Sequence, residues 1–146
     1  MYLWRISKFA DLSGKGGALR SGRWHKRGTL VVYASDHPST ALLEVLVHVD
    51  FEEFPASYTL LKIACPDEIP VHTIGRGDTD LDLDDLQSTQ ILGDSLLKEG
   101  NVCLMSVPSI VMPEANNILI NPQHQAAGQI QIEAVMSYPL DHRFRR

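Results

Sequence analysis

The chain has 146 residues, 44% of them hydrophobic, a size and composition suited to one globular domain with a real core. Its 13 Lys and Arg are scattered and outnumbered by 18 Asp and Glu, for a net charge of −5, so no basic face is available to hold nucleic acid by its phosphates and direct DNA binding is not expected. Cys65 and Cys103 lie far apart without Cys-x-x-Cys spacing, which argues against a disulfide framework or a zinc knuckle; Met1 to Arg5 lacks the apolar run of a signal peptide and no apolar stretch is long enough to span a bilayer, so no membrane association is expected and the expected compartment is a reduced cytoplasm.

In chain order, Tyr2 to Ser7 reads as a short strand. Ser13 to Gly28 is rich in Gly, Arg and Lys with little apolar periodicity, and reads as a long, loose loop. Thr29 to Tyr33 is β-branched and aromatic enough for a buried strand. Ser35-Asp36-His37-Pro38-Ser39 then supplies caps and an early proline for a helix from Pro38 to His48. In that helix Leu42, Leu43, Leu46 and Val49 form the apolar stripe, with Glu44 beside it. Tyr58 to Ala64 is a further strand, with a short extended piece near Val71, an acidic stretch from Asp78 to Asp85, and a second helix from Leu86 to Glu99 stopped by Gly100. Val102 to Val107, Asn117 to Ile120 and Gln129 to Met136 complete the strands. No repeat or linker interrupts the chain, so the expected class is α+β: one domain over 1–146, with mixed or antiparallel sheets and flanking helices.

Three clusters carry possible chemistry. Gly22-Arg23-Trp24, with Arg20 nearby and Arg5 on the opening strand, offers guanidinium forks that match phosphate oxygens, although arginines on such a loop are often only solvated. Tyr33 and Glu44 form the second cluster. A carboxylate beside an apolar helical stripe needs a partner; an ion pair with a loop arginine, exposure at the edge of the stripe and catalysis all satisfy the pattern. The third is Val107-Pro108-Ser109 with Asn117 to Pro122. Ser109 lacks a Gly-x-Ser-x-Gly elbow and so is not expected to be a hydrolase nucleophile, and Asn117 suits a turn equally well. The six histidines show no metal-ligand spacing, the Asp78-x-Asp80-x-Asp82 run lacks the turn residue and closing Glu of a calcium loop, and no metal is expected.

Taken together and in order, Leu3-Trp4-Arg5-Ile6, Gly22-Arg23-Trp24, Leu30 to Tyr33, Ala41 to His48, Val107-Pro108-Ser109 and Asn117 to Pro122 resemble the RES domain, named for an arginine, a glutamate and a serine. Arg23, Tyr33 and Glu44 follow one another by ten and eleven residues, the spacing that family shows. The resemblance implies a fold similar to ADP-ribosyltransferases and a toxin of a toxin–antitoxin pair that depletes NAD. It places Arg23, Tyr33 and Glu44 in a catalytic set, and Arg5, Ser109 and Asn117 around the bound NAD. Glu44, early in the chain and on a predicted helix, departs from the wider transferase group, whose catalytic glutamate usually lies late, on a strand or its loop.

The implied partner is an Xre-type helix-turn-helix antitoxin, with any DNA contact belonging to the antitoxin and with homodimerisation open. NAD is implied as substrate and no cofactor is needed. The expected reaction is cleavage of the nicotinamide–ribose bond by water, a glycohydrolase. ADP-ribosyl transfer to a protein, phosphorolysis of NAD and a fold-retaining, non-catalytic binding module stand as alternatives.

Overall fold

The β-branched and leucine-rich segments of the chain become the strands of one sheet, in a computed structural model that describes residues 1–50, 52–78 and 80–145. Seven strands, β1 (Tyr2–Ile6), β2 (Val32–Ser35), β3 (Ser57–Ala64), β4 (Val71–Thr73), β5 (Leu104–Pro108), β6 (Asn116–Ile120) and β7 (Gln131–Pro139), lie in the order β4-β5-β6-β2-β1-β3-β7. Only β4 and β5 run parallel; the other pairings are antiparallel. Among the described residues three α-helices accompany the sheet, α1 (Lys15–Leu19), α2 (Pro38–Leu46) and α3 (Leu86–Glu99). The class is α+β, as the sequence indicates.

Side chains alternate across a strand, so the register assigns each residue a face. Leu3, Val32, Ala34, Ile63, Leu104, Ile118 and Ile120 form a core on one face, covered by connecting segments that contribute Ile69 and Ile130. Val31, Met105, Val107 and Leu119 form the core of the other, with Tyr33 against them and Trp24, Ile74 and Leu97 above. The pairings Tyr33 with Leu119, Ser35 with Asn117, Val107 with Asn117 and Trp4 with Ser35 place Trp4, Tyr33, Ser35 and Asn117 on this second face.

Helix α3 has the predicted bounds. Asp85 caps it by accepting from the Gln87 N–H at 3.1 Å, and it ends at Gly100 in the left-handed conformation. Helix α2 opens as predicted, His37 accepting from the Ser39 N–H with Pro38 in the first turn, but ends at Leu46, two residues earlier than the periodicity suggests. Its buried residues are Thr40 and Ala41, while Leu42, Leu43 and Leu46 are only half-buried. Glu44 falls four and three residues after these two, on the inward face and not beside it. The leucine stripe therefore misidentified the face that packs.

The Gly-rich segment read as a loose loop is a packed one. It contains α1, and Trp24 and His25 are each 2% exposed. Helix α3 clasps it: the Thr89 hydroxyl donates to the Arg23 carbonyl, the Gln90 amide to the Gly22 carbonyl at 2.8 Å, and the Asp94 carboxylate accepts from the Lys26 N–H at 2.9 Å. Gly93 makes this approach possible, because a Cβ there would sit 1.8 Å from the Trp24 carbonyl oxygen. The strand expected over Thr29–Tyr33 begins instead at Val32, since the Thr29 N–H turns back to the Lys26 carbonyl and only Val32 onward pairs with β6.

Gly93→Ala is expected to lower unfolding free energy by about 1–3 kcal/mol or more through overpacking against Trp24. Gly16→Ala, where a Cβ meets nothing within 4 Å, is expected to be neutral or stabilising by up to about 1 kcal/mol. Chemical denaturation of the two variants checks both.

Candidate active site

The inward face of α2 delivers Glu44 to the end of the β5–β6 hairpin. Its Oε1 accepts from the Ser109 hydroxyl at 2.6 Å and from the Asn117 side-chain amide at 2.8 Å. Both donors are themselves held. Ser109 is fully buried, its hydroxyl accepts from the Met112 N–H at 3.0 Å, and its own N–H donates to the Ala115 carbonyl. Asn117 accepts at Oδ1 from the Ser35 hydroxyl at 2.8 Å, which fixes the amide so that its nitrogen faces Glu44. Hydrogen bonds to an ionised acceptor are the strong ones, about 1.5–3 kcal/mol each, and two of them offset the cost of half-burying the carboxylate.

The other carboxylate oxygen is left free. Among the described residues Oε2 accepts no hydrogen bond, and no buried side-chain polar atom lacks a partner, so Oε2 reaches solvent. The site thus presents a glutamate with one oxygen immobilised and one available. The partners of the held oxygen are a serine and an asparagine and not a loop arginine, and Asn117 spends its side chain on Glu44 and Ser35.

Tyr33 sits on the same sheet face. It pairs with Leu119, so Asn117 is its diagonal neighbour across the strands, about 7–8 Å away. Its hydroxyl accepts from the Trp24 N–H at 3.1 Å and lies 2.7 Å from His25 Nδ1. His25 Nε2 meets two carbonyls, of Gly17 at 2.7 Å and Arg20 at 2.8 Å, and carbonyls only accept; the ring proton therefore belongs on Nε2. Nδ1 then accepts, and the Tyr33 hydroxyl donates to it. The phenol hydroxyl spends its proton and one lone pair on this loop, and the half-buried ring is what it offers to a ligand.

Arg23 lies between Gly22 and Trp24 on that fastened loop. Its guanidinium donates to the Leu83 carbonyl at 3.1 Å, which leaves most of its donors unengaged by that contact. The structure therefore gathers Tyr33, Glu44, Ser109 and Asn117 on one face and hangs the Arg23 loop from Tyr33. Arg5 is placed differently. One residue beyond Trp4, it falls on the opposite face of β1, and its guanidinium donates to the Tyr33 carbonyl at 2.6 Å. Burial lowers its pKa, partly offset by Asp11. Arg5 supports the strand that carries Tyr33.

Sequence reasoning missed His25, which had registered only as one histidine without metal spacing, and Arg76. The Arg76 guanidinium donates to the Ser109 carbonyl at 2.6 Å, beside the serine that holds Glu44. Its signal was a glycine-flanked arginine, Gly75-Arg76-Gly77, of the kind that drew attention to Gly22-Arg23.

Comparison with known proteins identifies the family and the fold. The family model for the RES domain matches residues 2–141, and the chain belongs to the RES domain family. A relative from Pseudomonas putida named "Toxin Res" is 43% identical over 137 residues, covering 91% of this chain and 94% of the relative. One from a Sphingobium species named "Prs ADP-ribosylating toxin" is 33% identical over 154 residues, covering 98% and 96%. Among solved structures, one described as the M. tuberculosis MbcT-MbcA toxin-antitoxin complex superposes with a TM-score of 0.75 at 19% identity, over 98% of this chain and 85% of that one, which speaks to the fold.

Burial pushes the Tyr33 phenol well above its ordinary range, with the Trp24 N–H opposing and Asp94 adding to the rise. A raised phenol pKa contributes stability that is complete below about pH 10, the unfolded value, and is lost as pH climbs beyond it. Tyr33→Phe strands the Trp24 N–H and His25 Nδ1, so it is expected to cost about 1–3 kcal/mol at neutral pH. The same variant is expected to flatten the fall in stability above about pH 10. Denaturation curves at neutral and alkaline pH measure both effects.

Proposed function

We propose that the protein is the toxin of a toxin–antitoxin pair and that it cleaves the nicotinamide–ribose bond of NAD, with water as the acceptor. The observation that carries this reading is Glu44, one oxygen fixed by Ser109 and Asn117 and the other open to solvent on the face that holds Tyr33. The names of the relatives from Pseudomonas putida and Sphingobium support the toxin reading, and the second supports action on an ADP-ribose donor.

The chemistry suits such a carboxylate. As the bond from ribose C1′ to the pyridinium nitrogen breaks, the electron pair leaves with nicotinamide, which departs neutral, and the ribose develops oxocarbenium charge. Glu44 stabilises that charge through a preorganised anion and accepts from a ribose hydroxyl at its free oxygen. Ser109 and Asn117 keep the carboxylate from rotating away. The Tyr33 ring offers a face for the cationic pyridinium of the substrate, and Arg23 offers a guanidinium fork for its phosphates. Water then adds at C1′ and one proton is released, giving ADP-ribose. No second acid is required because the leaving group takes no proton.

ADP-ribosyl transfer to a protein is the second reading, favoured by the name of the Sphingobium relative. Both readings share the bond that breaks and differ in the acceptor. An enzyme that consumes NAD needs restraint in its own cell, and an Xre-type antitoxin covering the Arg23 side of the site supplies it. The fold shared with the toxin–antitoxin complex supports an antitoxin partner.

Purified protein is expected to release nicotinamide from NAD, and Glu44→Gln to reduce the rate by about a hundredfold or more. Incubation with labelled NAD and lysate separates the readings: a hydrolase leaves its label as free ADP-ribose, a transferase leaves it on protein. No release by the wild type would overturn the proposal.

A further inference from the structure

Arg5 is turned to the opposite face, and so the guanidinium nearest to the serine that holds Glu44 is that of Arg76. We propose that Arg76 is a second phosphate-binding residue of the site, gripping the pyrophosphate of the dinucleotide on the Ser109 side while Arg23 approaches from the other. The inference rests on the NAD reading above and adds a residue to it.

Three observations carry it. The segment that bears Arg76 is built in place: Ile74 is 3% exposed in the core of the site face and continues the β4–β5 ladder through its N–H to the Ser106 carbonyl at 2.8 Å, and the Asp78 carboxylate closes the following turn by accepting from the Gly75 N–H at 3.0 Å. The guanidinium spends one nitrogen on the Ser109 carbonyl, a neutral acceptor, and among the described residues no carboxylate lies within 4 Å of it. Its remaining donors keep the planar fork that fits phosphate oxygens. Finally, Leu83, whose carbonyl receives the Arg23 guanidinium, lies only seven positions after Arg76 in the chain. A pyrophosphate carries two anionic groups, and two guanidinium groups match that number.

A purely supporting Arg76 would hold Ser109 and thereby Glu44, and its loss would then slow the chemistry. A phosphate-binding Arg76 discriminates between the two products, since ADP-ribose carries the pyrophosphate and nicotinamide carries no charge. The test is steady-state nicotinamide release by the full chain, with KM for NAD and product inhibition by ADP-ribose and by nicotinamide, for wild type, Arg76→Gln and Arg76→Lys. Arg76→Gln is expected to raise KM for NAD and the ADP-ribose inhibition constant about tenfold each, with kcat and the nicotinamide inhibition constant within about twofold of wild type. Arg76→Lys, which keeps the charge but not the fork, is expected to fall between. Arg76 is exposed, so both variants should unfold with the wild-type Tm. A fall in kcat with unchanged ADP-ribose inhibition would overturn the inference in favour of support for Ser109, and so would no change at all. An active wild type with either result leaves the NAD reading standing; an inactive wild type removes both.

Discussion

Glu44 Oε1 accepts from two side chains that arrive from the two strands of one hairpin, Ser109 just beyond β5 and Asn117 within β6. That pair of bonds joins the last turns of α2 to the sheet, and it decides which helix face is inward. Without it, a half-buried carboxylate on the packed side of a nine-residue helix would have no compensation for its lost hydration, and the leucine side would be the better one to bury. The helix instead buries Thr40 and Ala41 and leaves Leu42, Leu43 and Leu46 partly in water. Apolar burial given up there is exchanged for a carboxylate held in one orientation.

A second arrangement depends on the first only through the sheet. Tyr33 lies diagonal to Asn117 on the same face, and its hydroxyl is where the Gly-rich segment ends its path, through the Trp24 N–H and His25. The far side of that segment is held by α3, through Thr89, Gln90 and Asp94. Arg23 is therefore positioned by neighbours on both sides although its own side chain makes one backbone contact. Long polar side chains presented from a fixed backbone lose less entropy on binding than those on a loose one, which is how a glycine-rich segment comes to serve a site.

The groups of the site are an anion with a free oxygen, an aromatic face and guanidinium forks, and these complement a substrate that is cationic at one end and anionic at the other. Membership of the RES domain family fits that complement, and under the reading proposed above the free oxygen of Glu44 is the group that faces the bond to a positively charged leaving base.

The sequence by itself determined the α+β class, the bounds of α3, and most strands to within two or three residues, because caps, β-branched runs and Gly100 act locally. It also singled out Arg23, Tyr33, Glu44, Ser109 and Asn117, through an ordered set of short segments. Only the tertiary structure decided which of them meet. The partners of Glu44 lie 65 and 73 positions away, and no periodicity reaches that far. The packing of Ser13 to Gly28 was hidden because its order comes from α3 and His25, not from its own propensity. Pleat parity sent Arg5 to the opposite face from Trp4, and a parallel strand pairing brought Arg76 to Ser109. Local chemistry sets which elements form; register and crossover, which depend on every strand at once, set which side chains share a face.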